Sequence, residues 1–221
     1  MRVHSIPTPI HGRVLVEDAA SPSNSARVLL GCHGYAQNAA TMLSDLSTIP
    51  GIDAWRRVSV QAPNRFYTRG DESVVASWMT REDREDAIAD NIQYLQNVVN
   101  AVAADAKAIV YLGFSQGASM VSRAAARVTP RAAGLIVLGG DIPPDVKEAV
   151  KDDPSVQLPP VLIGCGVRDT WYGARMDKDL AFLQSRGIAH DVVRFDGAHE
   201  FNAEFAAAAG AWLARLTPAA G

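Results

Sequence analysis

At 221 residues, 48% of them hydrophobic, the chain is long enough to bury one substantial core, and a single domain over residues 1–221 is the simplest reading. Its 21 basic and 24 acidic residues are spread along the chain for a net charge of −3, which excludes the basic footprint of a nucleic-acid or anionic-membrane binder. No stretch approaches about 18 continuous apolar residues and residues 1–20 lack a secretory-signal pattern, so a soluble, cytoplasmic protein without stable membrane insertion is expected.

Taken in chain order, short β-branched or aliphatic runs alternate with longer helical stretches, the pattern of a mostly parallel sheet covered on both faces. Arg2–Ile6 and Arg13–Glu17, separated by Pro7, Pro9 and Gly12, read as a hairpin-like pair of strands. Six further strands are predicted at Arg27–Cys32, Arg57–Gln61, Ala108–Gly113, Gly134–Leu138, Val161–Cys165 and His190–Arg194, each reading as almost wholly buried. An α/β sheet of about eight strands follows. Helices are predicted near residues 39–48, 82–104, 116–127, 144–150, 173–185 and 202–215. In the second, Ile88, Ile92, Leu95, Val99 and Val102 recur at three- and four-residue steps, while Glu82, Asp83, Glu85 and Asp86 suit the positive end of the helix dipole. The Pro-rich stretch Pro143–Pro160 joins two strands and leaves little room for a cap domain.

Residues 113–117 read Gly-Phe-Ser-Gln-Gly between a predicted strand and a predicted helix, the context a nucleophile elbow requires. A serine hydroxyl attacks a carbonyl well only when exposed and next to a base, and a sharp strand-to-helix turn exposes Ser115. In such chains the order is serine, acid, histidine, each after a strand's carboxyl end. His199 follows the last predicted strand and is the expected base. Asp169, after the penultimate strand, is the expected acid; Asp141, one strand earlier, is the runner-up, ahead of Asp196 and Glu200. Two N–H donors must face the developing oxyanion, and Gln116 after the nucleophile and Tyr35 in Cys32-His33-Gly34-Tyr35 are the candidates. Phe66, Trp78, Met79 and Trp171 are candidate pocket residues, the first three from the long stretch Ala62–Thr80, whose length suggests a functional loop. Cys32 and Cys165 read as buried thiols. No phosphate loop or zinc-type spacing is present, so neither a cofactor nor a metal is expected.

Val28–Thr41, Ala76–Met79, Gly113–Gly117, the Asp169 loop and Asp196–His199 together resemble the phospholipase/carboxylesterase family of α/β-hydrolases, which includes bacterial carboxylesterases and acyl-protein thioesterases. The resemblance implies an α/β-hydrolase fold without a large cap, a Ser115–His199–Asp169 triad, an oxyanion hole from the N–H groups of Tyr35 and Gln116, and well-separated strands for the two cysteines. It departs from the thioesterase pattern after His33-Gly34, where Tyr35-Ala36-Gln37-Asn38 replace a leucine and an acidic residue. The expected function is hydrolysis of short to medium acyl esters through an acyl-enzyme. An acyl thioesterase or lysophospholipase with the same triad is the alternative, and a non-catalytic ligand-binding protein a more distant one. The expected partner is a small-molecule ester, and a homodimer is left open.

Overall fold

A computed structural model describes residues 1–21, 27–70 and 72–216. Its main sheet has seven strands: β1 (Arg13–Glu17), β2 (Arg27–Cys32), β3 (Arg56–Gln61), β6 (Ala108–Phe114), β7 (Gly134–Leu138), β8 (Val161–Gly166) and β9 (His190–Phe195). Between β3 and β6 in sequence, β4 (Asn64–Tyr67) and β5 (Val74–Ser77) form a separate antiparallel pair. The main sheet runs β1-β3-β2-β6-β7-β8-β9, parallel throughout except for β1 against β3. Six helices connect the strands: α1 (Ala39–Ser47), α2 (Arg84–Val102), α3 (Gln116–Arg127), α4 (Pro144–Asp152), α5 (Gly173–Ser185) and α6 (Ala203–Arg215).

The continuous apolar runs have a direct cause, because both faces of the sheet are covered. Alternate residues of β2 and β6 serve opposite layers: Val28, Leu30, Ile109 and Tyr111 pack with α2, α3, α4 and α5. Leu29, Val110, Leu112 and Phe114 pack instead with α1 and α6, through Met42, Leu46, Phe205 and Trp212. Such strands cannot alternate polar with apolar. The helix ends are also locally explained. Asn38 and Asn202 accept the N–H groups of Thr41 and Phe205 at the starts of α1 and α6, and Glu85 and Asp86 occupy the first turn of α2.

Four expectations need correction. Arg2–Ile6 is not a strand: it is exposed, and β1 takes its partner from β3 instead. The strand count is therefore seven in the main sheet. Residues 5–12 lie along α2, where Ser5 Oγ donates to Asp86 at 2.5 Å and Tyr94 Oη donates to the Arg13 carbonyl at 3.1 Å. The last strand, β9, is a sheet edge rather than a buried strand, and Asp191, Val192 and Arg194 face solvent. The stretch 62–80 is not a plain loop, since it contains β4 and β5. Cys32 and Cys165 are free and buried on strands separated by β6 and β7. Among the described residues no helix is long and apolar enough to cross a membrane.

Candidate active site

The turn from β6 into α3 places Ser115 at φ 54° and ψ −117°, a conformation that costs an ordinary side chain about 1–3 kcal/mol. Its surroundings hold it there. Ser115 N–H donates to the Leu138 carbonyl at 2.8 Å, and the Ser115 carbonyl accepts from Ala118 N–H at 3.0 Å. The turn also needs close approach of backbones. A Cβ on Gly117 would lie 2.0 Å from the Cys32 carbonyl oxygen, and one on Gly113 would lie 2.4 Å from the Gly117 carbonyl oxygen. Glycine at both positions lets α3 start directly against β2 and β6.

His199 follows β9 and Asp169 follows β8, so the order of parallel strands brings both beside Ser115. His199 Nε2 lies 2.8 Å from Ser115 Oγ, and its Nδ1 lies 2.8 Å from Asp169 Oδ2. A neutral imidazole carries one proton, so with Nδ1–H donating to the carboxylate, Nε2 is the acceptor facing the serine hydroxyl. The ring is half-buried and packs 4.9 Å from the Phe114 ring, centroid to centroid. Asp169 Oδ1 accepts two further N–H groups, from Trp171 at 2.8 Å and Tyr172 at 2.9 Å. Burial works to raise the Asp169 carboxyl, but the hydrogen bonds from His199, Tyr172 and Trp171 outweigh it and hold it below the usual carboxylate range. Of the rival acids, Asp196 pairs with Arg168, and Glu200 accepts Ala198 N–H within its own loop.

Beside the serine runs the turn after β2. Gly34 packs so closely that a Cβ there would meet Ser115 Cβ at 3.2 Å. Gln37 N–H closes the turn on the Gly34 carbonyl at 3.3 Å, with Tyr35 and Ala36 between them and Ala36 at φ 58°. Ala36 N–H donates to the Ala76 carbonyl at 3.0 Å, and Ala76 N–H donates to the Gln37 carbonyl at 2.8 Å, so the turn is pinned to β5. Gln116 stands at the first position of α3, where an N–H has no intrahelical acceptor and is free for a ligand. Both predicted oxyanion donors thus belong to segments that flank Ser115.

Of the four pocket candidates, two sit at the surface and two inside. Phe66 packs 5.6 Å from Tyr35, centroid to centroid, and Trp171 is exposed beneath the guanidinium of Arg175. Trp78 and Met79 are a correction. Trp78 is wholly buried with its indole N–H on the His33 carbonyl at 2.9 Å, and Met79 is nearly so, which makes both part of the core rather than subsite walls. The sequence reading also missed His33 as a strut. It is buried, accepts Ala62 N–H on Nε2 at 3.0 Å, and lies with Nδ1 2.7 Å from the Gly34 carbonyl. Burial lowers its pKa below the ordinary imidazole value, against the opposing pull of the Gly34 carbonyl. Burial likewise pushes the Cys165 thiol up to about 11, with the Asp169 charge adding to it, and drives Cys32 up further. Neither thiol is poised to react.

Residues 15–211 match the phospholipase/carboxylesterase family. Among solved structures the chain is similar to a maize (Zea mays) acyl-protein thioesterase 2, with a TM-score of 0.75 at 16% identity over 92% of this chain and 98% of that one. It is similar to esterase PE8, with a TM-score of 0.72 at 19% identity over 94% and 100%, and to a Bacillus cereus carboxylesterase, with a TM-score of 0.68 at 17% identity over 93% and 95%. These likenesses establish the α/β-hydrolase fold. No curated protein matches the chain by sequence.

Proposed function

We propose, from the premise that this chain belongs to the phospholipase/carboxylesterase family, that it is a single-domain cytoplasmic serine carboxylesterase acting on short to medium acyl esters. The observation that carries the reading is the unbroken relay Ser115–His199–Asp169, with both contacts at 2.8 Å. Ser115 Oγ attacks the ester carbonyl carbon while His199 Nε2 takes the hydroxyl proton, and Asp169 stabilises the imidazolium that forms. The carbonyl oxygen becomes an oxyanion facing the N–H groups of Tyr35 and Gln116, each worth about 3–4 kcal/mol to the transition state. Collapse breaks the bond to the alcohol oxygen, which receives the proton from His199 and leaves an acyl-serine. Water, deprotonated by His199, then attacks the acyl carbon; the bond to Ser115 Oγ breaks, Oγ takes the proton back from His199, and the acid is released.

The depressed Asp169 pKa supports this role, because the carboxylate stays ionised wherever His199 can act as a base. Tyr35, Phe66 and Trp171 are the residues proposed to meet the substrate's acyl and alcohol groups.

Intact-mass spectrometry after fluorophosphonate treatment, beside hydrolysis of a short p-nitrophenyl ester, tests the proposal. One phosphonyl adduct and ester turnover, both abolished in Ser115→Ala, are expected. A folded wild type with neither would overturn it in favour of a binding protein. Preferential turnover of acyl thioesters or lysophospholipids would reassign the leaving group and keep the relay.

A further inference from the structure

The Gln116 side chain does something that its proposed backbone role does not require. Its Oε1 accepts Trp78 N–H at 2.8 Å and lies 3.3 Å from Ser77 Oγ, while its Nε2 donates to the Met79 carbonyl at 2.8 Å. The amide orientation is set by these partners, because a backbone N–H needs an oxygen and a backbone carbonyl needs a donor. The carboxamide therefore closes a two-pronged bond on the backbone of residues 78 and 79, as a neighbouring strand would.

That segment is the one that holds the Tyr35 turn. Ala76 exchanges backbone hydrogen bonds with Ala36 and Gln37, at 3.0 and 2.8 Å, and the Trp78 indole grips the His33 carbonyl. On the other side, Gly34 N–H donates to Gln37 Oε1 at 2.8 Å. A continuous path of hydrogen bonds thus runs from Gln116 through residues 76–79 to both flanks of Tyr35. Met79, Trp78 and Ser77 are all buried, while Gln116 is half-buried, so the contacts are partly shielded from competing water.

We infer that the Gln116 carboxamide is a positioning group that sets the separation between its own N–H and that of Tyr35. The inference rests on the esterase reading above and adds to it a residue acting through others. An oxyanion hole works by holding two donors where charge develops, so loosening one relative to the other weakens binding of the transition state and not of the substrate.

The test compares wild type, Gln116→Ala and Gln116→Glu for kcat, KM, thermal midpoint and affinity for an acyl trifluoromethyl ketone, whose adduct with Ser115 carries an oxyanion. In Gln116→Ala a kcat loss of roughly ten- to thirtyfold is expected, smaller than deletion of a donor, with trifluoromethyl ketone affinity falling in parallel and KM nearly unchanged. In Gln116→Glu the carboxylate can still accept from Trp78 N–H but repels the Met79 carbonyl, and protonation restores the lost donor. Activity relative to wild type should therefore rise as pH falls toward the carboxyl range, an effect that simple loss of packing does not produce.

Wild-type kcat and ketone affinity in Gln116→Ala, or a pH-independent deficit in Gln116→Glu, would overturn the strut while leaving the relay intact. A wild type that neither reacts with fluorophosphonate nor turns over ester would remove both readings together.

Discussion

Two strand-to-helix turns at the carboxyl ends of parallel strands supply the proposed nucleophile and acid, and they hold those residues in different ways. The turn from β6 to α3 holds Ser115 at positive φ and depends on glycines that let backbones approach. The turn from β8 to α5 has no residue at positive φ, and Asp169 is held by N–H groups two and three positions along its own chain. The nucleophile must project from its turn, which demands strain and outside support. The acid must point inward and keep its charge, which hydrogen bonds from its own turn and from His199 achieve. One turn is thus stabilised against its own preference and the other by it.

The largest expected effect tests the acid turn. Asp169→Asn should lower kcat about 10⁴-fold with KM near wild type, read from ester hydrolysis, because the amide no longer selects the tautomer that frees Nε2. The same residue gives a pH signature. Its folded-state pKa is depressed, so its contribution to stability is present above the unfolded carboxyl value and is lost as pH falls through the folded value. Denaturant midpoints should therefore fall more steeply in acid for the wild type than for Asp169→Asn. Equal slopes would mean that the turn gains nothing from the charge.

Next in size, Gly117→Ala should destabilise by about 3 kcal/mol, since its Cβ would drive α3 away from the Cys32 carbonyl. A chemical-denaturation midpoint unchanged from wild type would show that the serine turn does not depend on that approach. The smallest change in stability has the opposite sign. Ser115→Gly should abolish ester turnover yet stabilise the fold by about 1 kcal/mol, because glycine adopts φ 54° without a Cβ penalty. A destabilised Ser115→Gly would place the strain elsewhere and erase the contrast between the two turns.

How much of this was legible follows the same division. Helices over 116–127 and 173–185 appear with the predicted bounds, and Ser115, Asp169 and His199 lie together, because strand-helix alternation, turn residues and the order along the chain are local signals. Burial of Trp78, exposure of β9 and the absence of a strand over Arg2–Ile6 were not legible. Each depends on which distant segment arrives alongside: the 62–80 stretch folds back as β4 and β5, β9 has no strand beyond it, and β1 pairs with β3.

The Gln116 carboxamide illustrates the limit. The elbow motif marked its backbone N–H, since a helix's first N–H groups lack acceptors wherever the helix occurs. Its side-chain partners lie 38 and 37 residues earlier, at Trp78 and Met79, on a segment whose position no periodicity encodes. The sequence by itself determined the α/β alternation, the elbow and the residues of the relay, because those rest on propensities and spacings within a few residues of each other. Only the tertiary structure decided how the two proposed oxyanion segments are tied together, because hydrogen bonds between distant segments follow from packing and leave no local pattern.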